Sequence, residues 1–116
     1  MQQEISIPSL KANISYTVGK NAQSNFDIID AAEPTDMWFH IEGESSCHVI
    51  ASMPTDSKLD KKQLRQIVTQ GAVLCKSKSR FKSNKNVTVI YTKIEHITKS
   101  EPVGTVIAEN TKTIVI

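Results

Sequence analysis

Two short runs in which apolar and polar positions alternate dominate the pattern of this chain. Asp36 to Ile41 contains Met37, Trp38, Phe39 and Ile41, and Cys47 to Met53 contains Val49, Ile50 and Ala51. Between them lies Glu42-Gly43-Glu44-Ser45-Ser46, with the Gly and Ser content of a hairpin loop. The simplest symmetric register sets His40 opposite His48, Trp38 opposite Ile50 and Phe39 opposite Val49. Side chains alternate faces along a strand. Met37, Phe39, Ile41, Cys47, Val49 and Ala51 then form one uninterrupted apolar face. Asp36, Trp38, His40, His48, Ile50 and Ser52 form the other. A slip of one residue would drive His48 in among Phe39 and Ile41, so the pattern selects this register.

The rest of the chain supplies partners for that hairpin. Glu4 to Ile7 and Asn13 to Val18 alternate like strands on either side of Pro8, with Ile14, Tyr16 and Val18 on one face. Gly19 predicts a turn with a free backbone over Val18 to Asn21. Asn21 to Ala32 spaces Ala22, Phe26 and Ile29 as a helix does, capped by Asn21 or Ser24 and ended before Glu33-Pro34. Phe26 to Ile29 is also compatible with a strand. A polar connection covers Pro54 to Lys58. Asp60 then reads as an N-cap with Gln63 at N3, and Leu59 as a staple to Leu64. Leu64, Ile67, Val68, Gly71, Leu74 and Cys75 mark an amphipathic helix that ends near Lys76 to Ser79. Gly71 on its buried stripe costs about 1 kcal/mol relative to Ala, which points to close approach to a sheet. Val87 to Thr92 is apolar enough for an inner strand. Thr105 to Ala108 and Thr113 to Ile116 are β-prone runs around an Asn110 turn. The sum is one α+β domain over residues 1–116: an antiparallel-rich sheet, one long amphipathic helix across it and a shorter early helix.

Composition narrows the class. The 116 residues are 39% hydrophobic and 22% charged, which fits a folded domain rather than a disordered tail. No apolar run approaches the ~20 residues of a membrane span. The first ten residues lack the basic and apolar regions of a secretory signal, so a soluble, cytoplasmic protein without membrane contact is expected. Cys47 and Cys75 stand apart and read as reduced thiols. Charge is uneven. Residues 1–57 hold two basic and eight acidic side chains, 58–85 hold nine basic and one acidic, and 86–116 hold three of each. The basic middle is the informative part.

Candidate chemistry follows from these placements. Lys76, Lys78, Arg80, Lys82 and Lys85 form an acid-free basic run suited to phosphate contact through counterion release, or else a solvated loop. Phe81 within it stacks on a base or pins the loop. Trp38, His40 and His48 are either a base-stacking and phosphate-donating group or a polar network tying sheet to loop. Titrating near 6.5, the histidines would strengthen binding as pH falls. Lys20, Asn21 and Asn25 read as a small anion pocket or as turn and cap chemistry. His40, His48, Asp36 and His96 are the only set for a metal-dependent hydrolase, and their spacing fits no zinc signature. There is no P-loop, nucleophile elbow or dinucleotide turn, and no cofactor is called for.

Taken in order, Val18-Gly19-Lys20-Asn21-Ala22-Gln23-Ser24-Asn25, Asp36-Met37-Trp38-Phe39-His40, His48-Val49, the helix with its Lys-Ser-Lys tail, Val87 to Thr92, Pro102-Val103-Gly104 and Thr111 to Ile116 resemble the NFACT-R family of domains. The resemblance spans about residues 13 to 116. It implies a non-enzymatic nucleic-acid-binding module, RNA or tRNA being the expected partner. The family's large members are ribosome-associated quality-control factors that carry this domain at their end, so ribosomal or quality-control proteins are the other implied partners. Two positions depart from the large members: Ser45-Ser46-Cys47 stands where many have Pro-Gly-Ser, and Lys20 where Arg is frequent, which keeps charge but loses the bidentate fork. A protein-interaction module docking through the Trp38 face is the alternative from a different class.

Overall fold

The computed structural model describes residues 1–54 and 58–116. The polar connection expected over Pro54 to Lys58 falls in part on residues 55–57, outside the described residues. Besides two 3-10 turns, Pro8–Leu10 and Ile94–His96, ten elements follow one another among these residues: β1 (Gln2–Ile7), β2 (Ala12–Val18), α1 (Ala22–Ala31), β3 (Met37–Ile41), β4 (Val49–Ala51), α2 (Lys61–Ser77), β5 (Thr88–Lys93), β6 (Ile97–Lys99), β7 (Val106–Ala108) and β8 (Lys112–Val115). Six strands form one antiparallel sheet in the order β1-β2-β4-β3-β5-β8, and β6 and β7 form a separate ribbon. The α+β reading with a long helix and a shorter early one is what the protein has.

The hairpin takes the register its pattern demands. Met37 lies opposite Ala51, Trp38 opposite Ile50 and Phe39 opposite Val49. It sits at the middle of the sheet, because β4 also pairs with β2 and β3 also pairs with β5. The face with Met37, Phe39, Ile41, Val49 and Ala51 joins Ile14, Tyr16 and Val18 from β2 in the main core. α2 closes that core with Ile67, Val68, Ala72, Leu74 and Cys75. Gly71 is there for the expected reason: a Cβ at this position would overlap the Phe39 ring. The helix begins with a capping box, Asp60 accepting from the Gln63 N–H at 2.7 Å while Gln63 accepts from the Asp60 N–H at 3.0 Å. The Tyr16 hydroxyl donates to the Ile67 carbonyl at 2.8 Å and so ties β2 to the helix; burial pushes its pKa up. Leu64, expected on the buried stripe, is instead one of the exposed apolar residues.

The second face of the sheet is covered too, which the chain's pattern did not announce. Ile29 from α1 packs on Trp38 and Ile50, and Ile97, Val106 and Ala108 from the β6–β7 ribbon pack beside them. The two β-prone runs around Asn110 therefore go to different sheets: β7 pairs with β6, and β8 pairs with the inner strand β5. α1 opens with Asn21 as N-cap in a capping box with Ser24. Its buried positions are Asn25 and Ile29, not Phe26, whose ring lies under the Lys99 ammonium at 5.4 Å. Among the described residues no helix is long and apolar enough to cross a membrane.

Candidate functional site

Where α1, the ribbon and the hairpin loop fail to meet, they leave a pocket of about 910 Å3 at the His40–His48 end of the sheet. Its floor is a trio of rings. Trp38 and His40, on the same face of β3, lie 5.5 Å apart and within 5° of parallel. His48 meets both edge-on, at 5.4 Å from the indole and 5.1 Å from the other imidazole.

Local backbone chemistry holds His48 in this position. Its N–H donates to Asn25 Oδ1 at 3.3 Å, and its carbonyl accepts from the Gly19 N–H at 2.9 Å. Both groups point toward β2 and α1. The β3–β4 ladder stops at Val49, so the second hairpin strand is shorter than the expected Cys47 to Met53. Gly19 is needed here for close approach rather than for a turn conformation: any Cβ would overlap Asn25 Oδ1. Gly104 has the same function in the ribbon loop. It adopts φ +91°, and a Cβ would come within 2.9 Å of the Ala22 backbone, which keeps the loop tight on the start of α1.

Burial sets the electrostatics. Loss of water lowers the His48 pKa from 6.5 to about 4, and the neighbouring His40 pushes it the same way. The His40 pKa is lowered as well, mainly by burial, against a raising hydrogen bond at Ile41. Both imidazoles are therefore neutral at pH 7. The expected gain of positive charge near 6.5 is displaced to lower pH. Two buried polar atoms at the floor, Trp38 Nε1 and His48 Nδ1, have no hydrogen-bond partner among the described residues. Cys47 lines one wall, and behind it Cys75 lies in the main core; each directs Sγ at the other's carbonyl, at 3.9 and 3.8 Å, and neither forms a disulfide. The hydrogen bond between the two thiols lowers the Cys47 pKa and, with burial, pushes the Cys75 thiol up.

Residues 10–113 match the model of the NFACT protein RNA-binding domain. The chain belongs to the NFACT-R family. Relatives include coiled-coil domain-containing protein 25 of Danio rerio, 31% identical over 85 residues, which cover 72% of this chain and 40% of the relative. The Mus musculus protein of the same name is 32% identical over 90 residues, covering 74% of this chain and 42% of the relative. The chain thus spans about two-fifths of the curated relatives it matches. Among solved structures, the C-terminal part of the fibronectin/fibrinogen-binding protein from Streptococcus suis is similar to it. The TM-score is 0.77 with 22% identity, over 89% of this chain and 41% of that one, a likeness of fold.

This NFACT-R domain gathers some of the expected site residues and parts others. Lys20, Asn21, Asn25, Trp38, His40, His48 and Lys78 all line the pocket. Trp38 is only 1% exposed and has His40 against one face. The indole is a floor, not the open stacking platform expected of it. Asn21 and Asn25 are engaged in structure: Asn21 Oδ1 accepts from the Ser24 N–H at 2.8 Å, and Asn25 holds the His48 N–H. The Lys20 and Asn21 N–H groups both donate to Ser24 Oγ, so this helix start is already satisfied.

The basic run divides as well. Lys76 donates to the Ile116 carbonyl at 3.1 Å. Arg80 pairs with Glu44 of the hairpin loop at 2.7 Å and lies 4.7 Å over the Phe81 ring. Phe81 itself packs on the main core, the pinning role. Lys82 and Lys85 are exposed beyond the pocket. The metal alternative does not assemble among the described residues, which contain no cluster of three candidate ligands. Asp36 instead accepts from the Met53 and Glu33 N–H groups, each at 2.9 Å, and anchors the start of β3. The ribbon loop, Pro102 to Thr105, was missed as a pocket wall. Its signals were Pro102 and Gly104, which mark a tight loop without saying where it docks.

Proposed function

We propose that this domain binds RNA through the pocket and its cationic rim, as a binding module rather than an enzyme. The observation that carries the reading is the placement of Lys20 and Lys78, distant in sequence, at the mouth of a cavity floored by Trp38, His40 and His48. The ammonium groups hold the phosphate backbone by releasing condensed counterions. The pocket behind them admits an unpaired nucleotide, the form in which RNA offers its bases for contact. Lys82 and Lys85 extend the positive surface along the adjacent loop, Arg80 joins it only on release from Glu44, and Lys76 backs it from the end of α2. Membership of a family of RNA-binding domains supports this reading.

The natural ligand in this proposal is tRNA, and the setting is cytoplasmic ribosome-associated quality control or translation, with ribosomal or quality-control proteins as neighbours. The RNA-binding reading is tested by titrating a labelled single-stranded RNA at several salt concentrations. Affinity should fall with salt with a log–log slope of about −0.7 per phosphate contacted. Affinity indifferent to salt, or absent at low salt, rules out the phosphate grip. Association with ribosomes that survives nuclease treatment would favour docking on protein in place of RNA.

A further inference from the structure

Trp38 Nε1 and His48 Nδ1 are the feature that the fold does not explain. More than nine-tenths of buried polar groups have a hydrogen-bond partner, and leaving one without costs about 1–3 kcal/mol. Here two such atoms occur on rings 5.4 Å apart, on residues 1% and 3% exposed, and both residues line the same cavity. The backbone N–H and carbonyl of His48 are already bonded, to Asn25 and to Gly19, so these two buried ring nitrogens are the polar atoms left for a partner.

Their chemistry restricts what can enter. The indole N–H donates and cannot accept, so its partner carries an acceptor and is not a metal ion. A neutral imidazole offers one donor and one acceptor, so the ligand is not selected by charge at that depth. A free phosphate would meet no cation on the floor. The walls include Ile90, Val106 and Ala108, apolar side chains suited to a flat ring. The charged lining residues, Lys20, Lys78 and Glu42, are all exposed and so stand at the mouth. A ligand that fits is planar, has donors and acceptors along one edge, and carries its negative charge at the other end. The volume lies within the about 300–1,000 Å3 typical of small-molecule pockets.

We infer that the pocket captures a single unpaired nucleobase edge-first, with Trp38 Nε1 and His48 Nδ1 hydrogen-bonding its edge and Lys20 and Lys78 holding its phosphate. The inference rests on the RNA-binding reading and deepens it. Capture by the edge, rather than by stacking on the indole, follows from the way His40 covers Trp38. It also makes the domain prefer RNA with a free end or an extruded nucleotide over a continuous duplex.

The test uses the chain's single tryptophan, whose indole N–H gives one resolved signal in a nitrogen-proton correlation spectrum. The probes are the four nucleoside 5′-monophosphates, with ribose 5-phosphate and inorganic phosphate as controls. At least one nucleotide should move the indole signal saturably, and the two controls should leave it in place at the same concentration. His48→Phe should weaken nucleotide binding about tenfold or more. His48→Gln, which keeps hydrogen-bonding atoms, should weaken it less and covers the case in which the phenylalanine variant does not fold. If single-stranded RNA binds with the expected salt dependence while every nucleotide leaves the indole signal unmoved, the edge capture is wrong and the RNA-binding reading stands. If no RNA binds at low salt, both are wrong.

Discussion

The two faces of the β3–β4 hairpin share one backbone and differ in how completely their polar groups are bonded. One face meets α2 through Phe39, Val49 and Ala51, each wholly buried, with Gly71 cut away to admit the Phe39 ring. Its nearby hydroxyl, that of Tyr16, is bonded. The other face is buried almost as deeply at Trp38 and His48, yet leaves two nitrogens without a partner among the described residues and opens at one end into a cavity. Burial alone therefore does not distinguish the two faces. Completeness of hydrogen bonding does, because an unpaired buried donor is unfavourable unless a ligand repays it.

That contrast can be broken from either side. The largest effect should come from the dry face. Phe39→Ala should lower stability by about 3–5 kcal/mol in urea denaturation, while RNA affinity per folded molecule stays within about twofold. Next comes pH. His48 is held neutral with a pKa near 4 against 6.5 when unfolded, so the unfolded chain binds the extra proton first. Stability contributed by neutral His48 is complete above about pH 6.5, falls as pH drops, and levels off below about 4. The loss should be up to about 3 kcal/mol, and His48→Phe should flatten that part of the pH–stability curve. Third, Gly19→Ala should cost about 1–3 kcal/mol, because its methyl group displaces Asn25 Oδ1 from the His48 N–H. Unlike Phe39→Ala, it should also weaken RNA binding in the molecules that remain folded. The smallest change belongs to the rim. Lys78→Ala should leave stability within about 0.5 kcal/mol and reduce the salt slope of RNA binding by about 0.7.

The same contrast explains what could be read from the chain. The dry face was legible because strict alternation around Gly43 admits one register, and because Asp60, Gln63 and Gly71 mark the cap and the contact of α2. Near the site the controlling partners are remote in sequence. Asn25 reads as part of an anion pocket or as turn and cap chemistry, and only the fold shows that it takes the His48 N–H. Ile97 to Lys99 is too short a run to announce a strand, so the ribbon covering Trp38 gave no warning. Without that cover the indole reads as an exposed stacking surface. The lysines were recognisable as a group, but only the fold brings Lys20 and Lys78 to one mouth and leaves Arg80 with Glu44. An unpartnered nitrogen is a property of three dimensions and has no sequence signature.

The most direct test of the central claim, that the incompletely bonded face is where RNA is held, is photo-crosslinking of the folded domain to single-stranded RNA, with the joined residues mapped by mass spectrometry. The account predicts crosslinks concentrated at Lys20, His40, Lys78 and the 102–105 loop. Crosslinks confined to the outer surface of α2 or to β1, with none around the pocket, would contradict it.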